Sequence, residues 1–275
     1  MNGLKTTVLL TVLTLLLVVA GDFLGGPHGA MIAFVVAAAM NFFSYFFSDK
    51  LALMMYSAQP VSREEAPRLY ALVEGLVQRA RIPMPKLYIL PTDSPNAFAT
   101  GRNPSHASVA VTRGILAILS EEELEGVLAH ELGHVRNLDI LTGSIAATLA
   151  GAITMLALFF GGGRRSRDSE GGILALVMLI LAPIAAILIQ LWVSRTREFA
   201  ADASAAALTQ KPWALASALE KISGYSRRIP MVADPSSAHM FIMAPKLSGA
   251  TFANLFSTHP PVQKRIERLT GEIRG

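Results

Sequence analysis

The stretch Val127-Leu128-Ala129-His130-Glu131-Leu132-Gly133-His134 contains the pattern His-Glu-x-x-His, and its reading decides the rest of the chain. On a helix, residues four apart point within about 40° of each other and lie one turn apart in height. Two imidazoles at that spacing project from one face and can share an ion, and zinc accepts nitrogen and oxygen donors in a four-coordinate site. Glu131 falls beside that ion, where a carboxylate can take a proton from water. Just upstream, Ser120 followed three residues later by Glu123 reads as a capping box that starts the helix. The competing reading is a surface helix with two unrelated histidines; the cap and the amphipathic context speak against it.

A catalytic zinc takes three protein ligands and leaves one position open. The chain has no cysteine, so the third ligand must be His, Asp or Glu. No third histidine follows closely, as a metzincin extension would require. The best carboxylates lie in Ser194-Arg195-Thr196-Arg197-Glu198-Phe199-Ala200-Ala201-Asp202. Glu198 and Asp202 share a helix face, so Glu198 can bind the ion while Asp202 accepts the second N–H of a ligating histidine and fixes its tautomer. The same spacing also describes an exposed, salt-bridged helix start with Arg195 and Arg197 as neighbours. Spacing alone leaves both open. His28, His106 and His239 lack ligand spacing and read as structural or exposed.

Working outward, the 275 residues are 52% apolar and 16% charged, against about 25% charged in an ordinary soluble domain. The net charge of +4 comes from scattered Lys and Arg, a pattern that argues against nucleic acid as a partner. Stretches 4–20, 30–47, 140–160 and 173–193 approach the roughly 20 apolar residues that span a bilayer. Pro183 kinks the last, which membrane helices tolerate. Lys5 and the small-residue step Val18-Val19-Ala20 also resemble a secretory signal peptide, but a second apolar run follows at once, which makes a hairpin the better reading.

The expected organisation is a transmembrane hairpin (1–48), a metalloprotease domain built from 49–139 and 194–275, and a second hydrophobic hairpin (140–193). Lys5, Lys50, Arg63 and Arg68 place the N-terminus and the protease domain in the cytoplasm, whereas Arg164, Arg165 and Arg167 between the last two runs oppose the rule. Glu198 must return to the side of His130 and His134, so 140–193 crosses twice or not at all.

Within the polar part, Ser62 and Glu65 read as a capping box opening a helix toward Ala80, with Leu69, Leu72, Val73, Leu76 and Val77 as its apolar stripe. Residues 86–90 and 107–112 read as strands. Between them a turn at Asp93-Ser94-Pro95 leads into Asn96-Ala97-Phe98-Ala99-Thr100-Gly101. Met240-Phe241-Ile242-Met243 is an apolar run, either a flap over a cleft or, more simply, core. The fold class expected is a mainly α membrane protein of four transmembrane helices with a zincin-like α+β metalloprotease domain holding a small sheet.

The order of these features, ending in Ser257-Thr258-His259-Pro260-Pro261, resembles the HtpX family of bacterial membrane proteases, relatives of the CAAX prenyl proteases. That resemblance covers essentially the whole chain. It implies an endopeptidase with one Zn2+ per chain, in the bacterial inner membrane with its active site facing the cytoplasm. Its substrates would be damaged or misassembled membrane proteins, handled in concert with other quality-control proteases. It also implies Glu198 as third ligand. Asn96, Ala97, Phe98 and Ala99 are similar to the family segment along the substrate cleft, where an edge strand could pair with an extended peptide; read alone, they are also a turn rich in small residues. His259 could donate to the oxyanion formed in peptide attack, or merely begin the last helix. Arg265 is a further candidate for the same donation. Cutting inside the bilayer fits poorly, because Glu121, Glu122, Glu123, Glu125, Arg136 and Asp139 surround the motif. A purely structural zinc would more typically fill four positions with Cys or His.

Overall fold

The computed structural model describes residues 2–141, 145, 195–228, 242 and 260–271. Its first element, α1 (Asn2–Met55), breaks at Gly25 and Gly26, with Pro27 next. Gly26 has φ 58° and ψ −151°, a conformation open to little besides glycine. The chain folds back there. Asn41 Nδ2 donates to Thr14 Oγ1 at 2.8 Å, and a Cβ on Gly21 or Gly29 would strike the other's carbonyl. Small residues at a crossing are how membrane helices approach closely.

The second arm, Gly25–Met55, has 31 residues, reaches a mean hydropathy of 1.9 over its most apolar 18-residue stretch, and is long and apolar enough to cross a membrane; Leu10–Phe23 on the first arm is a shorter apolar helix. Of the four expected spans, one is therefore clear by length and composition, and the second hairpin (140–193) falls almost wholly outside the described residues. At about 1.5 Å per residue the 31-residue arm is roughly 46 Å long, against a hydrocarbon core of about 30 Å. Its last turns meet the sheet: Ala52 and Leu53 pack with Leu90, Phe98 and Ala110, and Arg102 lies 5.5 Å over the Phe46 ring.

The sheet has strands β1 (Gln59–Pro60), β2 (Lys86–Leu90), β3 (Ala97–Gly101) and β4 (Ala107–Thr112) in the order β1-β2-β4-β3. β2 and β4 occupy the bounds expected from their alternation. β2 runs parallel to β4, and β3 pairs antiparallel with β4, Ala97 opposite Val111 and Gly101 opposite Ala107. The segment read as a possible turn is thus an edge strand. Gly101 ends it at φ +139°, where a Cβ would collide with the His106 carbonyl.

Helix α2 (Pro67–Ala80) starts later than the Ser62–Glu65 box implied. Ser62 and Glu65 do exchange both box bonds, at 2.7 and 3.3 Å, but these close only a turn. Ala66 precedes a proline and is thereby kept out of the helical region; it sits at φ −133°, and the helix begins at Pro67.

The remaining helices are α3 (Arg113–Ile118), α4 (Glu121–Arg136), α5 (Arg195–Thr209), α6 (Pro212–Arg228) and α7 (Val262–Thr270). The Ser120 box of α4 forms as expected, and Glu123 also accepts from Ser217 at 2.6 Å and Lys221 at 2.8 Å on α6. Burial would push the Glu123 carboxyl up, yet these bonds and the Ser120 N–H outweigh it and hold the group below its usual range. α4 runs through the core, flanked by α2, α5, α6 and β3. One glycine permits the closest of these contacts: a Cβ at Gly126 would lie 2.9 Å from the Leu215 nitrogen of α6, whereas one at Gly133 would make only ordinary contact, at 3.4 Å, with Ala201 of α5. Ile242, the described member of the 240–243 run, belongs to the same core.

Candidate metal centre and active site

His130 and His134 project from the buried face of α4, rings edge to face at 88° with centroids 4.8 Å apart. Their Nε2 atoms face each other at 3.2 Å. Glu198 enters from the first turn of α5, Oε1 at 3.5 Å from His134 Nε2 and Oε2 at 3.7 Å from His130 Nε2. α5 crosses α4 beside Gly133, where a Cβ would lie 3.4 Å from Ala201 and Ser204. Among the described residues these three form the cluster able to hold a metal. A tetrahedral ion with bonds of about 2.0–2.2 Å separates its ligand atoms by about 3.3–3.6 Å. The observed triangle is close to that, so the donor set fits a four-coordinate divalent ion.

The second nitrogen of each ring is held. His130 Nδ1 lies 2.9 Å from Asp202 Oδ1, and His134 Nδ1 lies 3.3 Å from Asp139 Oδ2. Both contacts leave Nε2 for the ion. Asp202 had been expected to serve one of the histidines, and it meets His130. Asp139 was missed as a partner: it follows Leu138, whose φ of 60° turns the chain back toward the motif, and no periodicity announces that. Arg197 Nε then stands 3.5 Å from Asp139 Oδ1. Glu198 and Asp202 are both buried, which removes the reading of an exposed helix start.

Arg265 on α7 is fully buried. Its Nε and Nη2 donate to Asp202 Oδ2 and Oδ1 at 2.9 and 2.6 Å, and its Nη1 donates to the Ile242 carbonyl at 3.2 Å. Its Nη2 also lies 3.3 Å from His130 Nδ1 and its Nη1 lies 3.9 Å from Glu198 Oε2, so the guanidinium borders the ligand cluster while its shortest bond goes to Asp202.

Charge explains how the groups settle. Burial and the nearby Arg265 cation push His130 down to about 4, against the pull of Asp202. Burial acts the same way on His134, but its bond to Asp139 and the charges of Glu198 and Glu131 win and lift it to about 9. Burial would raise Asp202, yet its bonds to His130 and Arg265 bring it to about 2. Glu131, Glu198 and Asp202 face the single guanidinium of Arg265, while Asp139 is matched by Arg197. With neutral histidines the pocket is short of two positive charges, the charge of a divalent cation.

At the sheet edge, Asn96 and Thr112 form a hydrogen-bonded pair, Thr112 N–H donating to the Asn96 carbonyl at 3.0 Å. Antiparallel alternation then turns the backbone groups of Ala97 and Ala99 to the side of β3 away from β4, where Ile242 N–H donates to the Ala97 carbonyl at 3.1 Å. The Asn96 side chain accepts from the Ala97 N–H at 3.0 Å. Phe98 points the other way, into the cluster under α1. His259 lies outside the described residues. Pro260 and Pro261 directly precede α7, with Pro261 at its N-cap rather than in its first turn. His28 and His106 are exposed.

The sequence model of Peptidase family M48 matches residues 63–273. A protein named "Protease HtpX homolog" from Desulforapulum autotrophicum is 56% identical over 276 residues, covering 98% of this chain and 89% of the relative. One of the same name from Thermococcus sibiricus is 53% identical over 276 residues, covering 97% and 94%. Among solved structures, Ste24p of S. mikatae superimposes with a TM-score of 0.55 at 18% identity, over 94% of this chain and 62% of that one. At that identity the likeness shows a shared fold.

Proposed function

The chain belongs to peptidase family M48 and is a metallopeptidase with a membrane segment; from that membership and the site geometry we propose a zinc-dependent endopeptidase that cuts misfolded or damaged membrane proteins. The observation that carries it is the triangle of His130 Nε2, His134 Nε2 and Glu198, with buried Glu131 on the same helix. His130, His134 and Glu198 would hold one Zn2+, because two nitrogens and one carboxylate oxygen are a donor set that catalytic zinc takes. When bound, the ion supplies Lewis acidity and lowers the pKa of water. Glu131 takes a proton from the attacking water and returns it to the leaving amine. Asp202 and Asp139 hold the two rings so that Nε2 faces the ion. Beyond the Ala97 carbonyl, the outer edge of β3 pairs with an extended peptide through backbone bonds that tolerate many sequences, which suits a quality-control protease. On the family resemblance alone, His259 is assigned as a donor to the developing oxyanion, and the protease domain is placed on the cytoplasmic face of the bacterial inner membrane.

Metal content and casein cleavage of the detergent-purified protein test this. Glu131→Gln is expected to keep its zinc and lose cleavage. Glu198→Ala is expected to lose both. An active, zinc-loaded Glu131→Gln protein, or Glu198→Ala with parental zinc and cleavage, would overturn the assignment.

A further inference from the structure

One buried path of hydrogen bonds joins the metal ligands to the strand edge. The Ile242 N–H donates to the Ala97 carbonyl on β3 at 3.1 Å. The Ile242 carbonyl accepts from Arg265 Nη1 at 3.2 Å. The other side of the guanidinium grips both oxygens of Asp202, which in turn meets His130 Nδ1. Ala97, Ile242, Arg265, Asp202 and His130 are all buried, none more than 3% exposed. In such surroundings a broken bond leaves a group that water does not reach, so the path behaves as one unit.

We propose that Arg265 is a positioning residue that couples the metal centre to the peptide-binding edge of β3, through Asp202 on one side and the peptide group of residue 242 on the other. Its planar fork is what permits this. Two donors take a carboxylate while a third reaches a carbonyl, and a lysine ammonium offers only a point charge in place of the fork. The path also sets register. The Ala97 carbonyl is already taken by residue 242, so an incoming strand pairs at Ala99. The proposal rests on the reading of His130, His134 and Glu198 as zinc ligands and of β3 as the peptide edge.

The test uses the full-length protein in detergent as wild type, Arg265→Lys and Ile242→Pro. Zinc affinity is read by chelator competition, and kcat and KM with a fluorogenic peptide at saturating zinc. Arg265→Lys is expected to weaken zinc by about 10–100-fold and, with zinc saturating, still to raise KM about fivefold, the worth of one hydrogen bond. Ile242→Pro removes the N–H to Ala97, together with a buried side chain, but keeps the carbonyl that Arg265 holds, so KM should rise by at least about fivefold while zinc affinity stays parental. Parental zinc affinity in Arg265→Lys, or a KM restored by zinc saturation, would overturn the coupling. If Arg265→Lys shows no cooperative unfolding transition, Ile242→Pro decides: a raised KM supports the proposal and an unchanged KM overturns it. A wild-type protein that binds no zinc would instead refute the functional reading beneath it.

Discussion

Zinc binding by the metal-free protein should follow pH with a slope of one proton across the neutral range. His134 is lifted to about 9 and His130 pushed down to about 4. A ligating imidazole must be neutral. At neutral pH His130 already is, so the ion displaces one proton, from His134. The sign follows from the raised pKa: the proton is bound below about 9 and lost above it, so zinc tightens as pH climbs toward about 9 and gains no more from His134 beyond that. Between about pH 7 and pH 9 the affinity should rise by at most about tenfold per pH unit, the slope flattening as pH nears 9. Only as pH falls toward 4 does His130 add a second proton. Chelator competition at several pH values gives the slope, and calorimetry in buffers of different ionisation heat counts the proton. Asp139→Asn weakens the largest favourable influence on the His134 charge and should flatten the profile. A flat profile in the parent protein, or two protons released at neutral pH, would refute the reasoning.

Three further outcomes follow from packing. Asp202→Asn leaves buried Arg265 without its charge partner and should cost about 3–5 kcal/mol of stability in the metal-free protein, measured by denaturant unfolding; parental stability would contradict the clamp. Gly126→Ala forces α4 and α6 apart, because the new methyl would lie 2.9 Å from the Leu215 nitrogen, and should cost about 1–3 kcal/mol. Gly75→Ala in α2 meets nothing within 4 Å and should instead stabilise by up to about 1 kcal/mol, so equal effects on Tm at the two glycines would be inconsistent with the packing. Ser120→Ala removes the cap of α4 and should cost about 1 kcal/mol, read as a lowered Tm.

What was legible in the sequence was local chemistry. Strands 86–90 and 107–112 were readable because alternation and flanking turn residues act within a few positions, and the α4 cap because Ser and Glu three apart bond to each other's backbone. The same signature at Ser62 misplaced a helix start, since a neighbouring proline decided the local backbone. Glu198 and Asp202 could be named as a pair, but the spacing could not say whether they faced water or the histidines. Burial against α4 settles that. Asp139 was not legible as a partner of the site, and Arg265 was named only as a candidate oxyanion donor, not as the clamp on Asp202. One depends on a left-handed Leu138 and the other arrives from a distant helix, where Lys264, Glu267 and Arg268 make it look like one more surface charge.

The balance of charge also says what happens when the metal leaves. With zinc bound and both histidines neutral, Glu131, Glu198 and Asp202 are matched by Arg265 and the ion. Without it, His134 takes a proton, and an imidazolium supplies half of the missing charge at the same place. The core around the site is aliphatic and continuous from α2 to α6, so the fold does not hang on the ion as a small zinc finger does. Chelation should therefore lower Tm without erasing the cooperative transition. The loss should be larger at about pH 9 than at about pH 7, because the substitute charge is fading there. Thermal unfolding of the detergent-solubilised protein with and without chelator at both pH values measures this. A chelated protein with no transition at neutral pH would mean that zinc, and not the apolar core, holds α5 against α4.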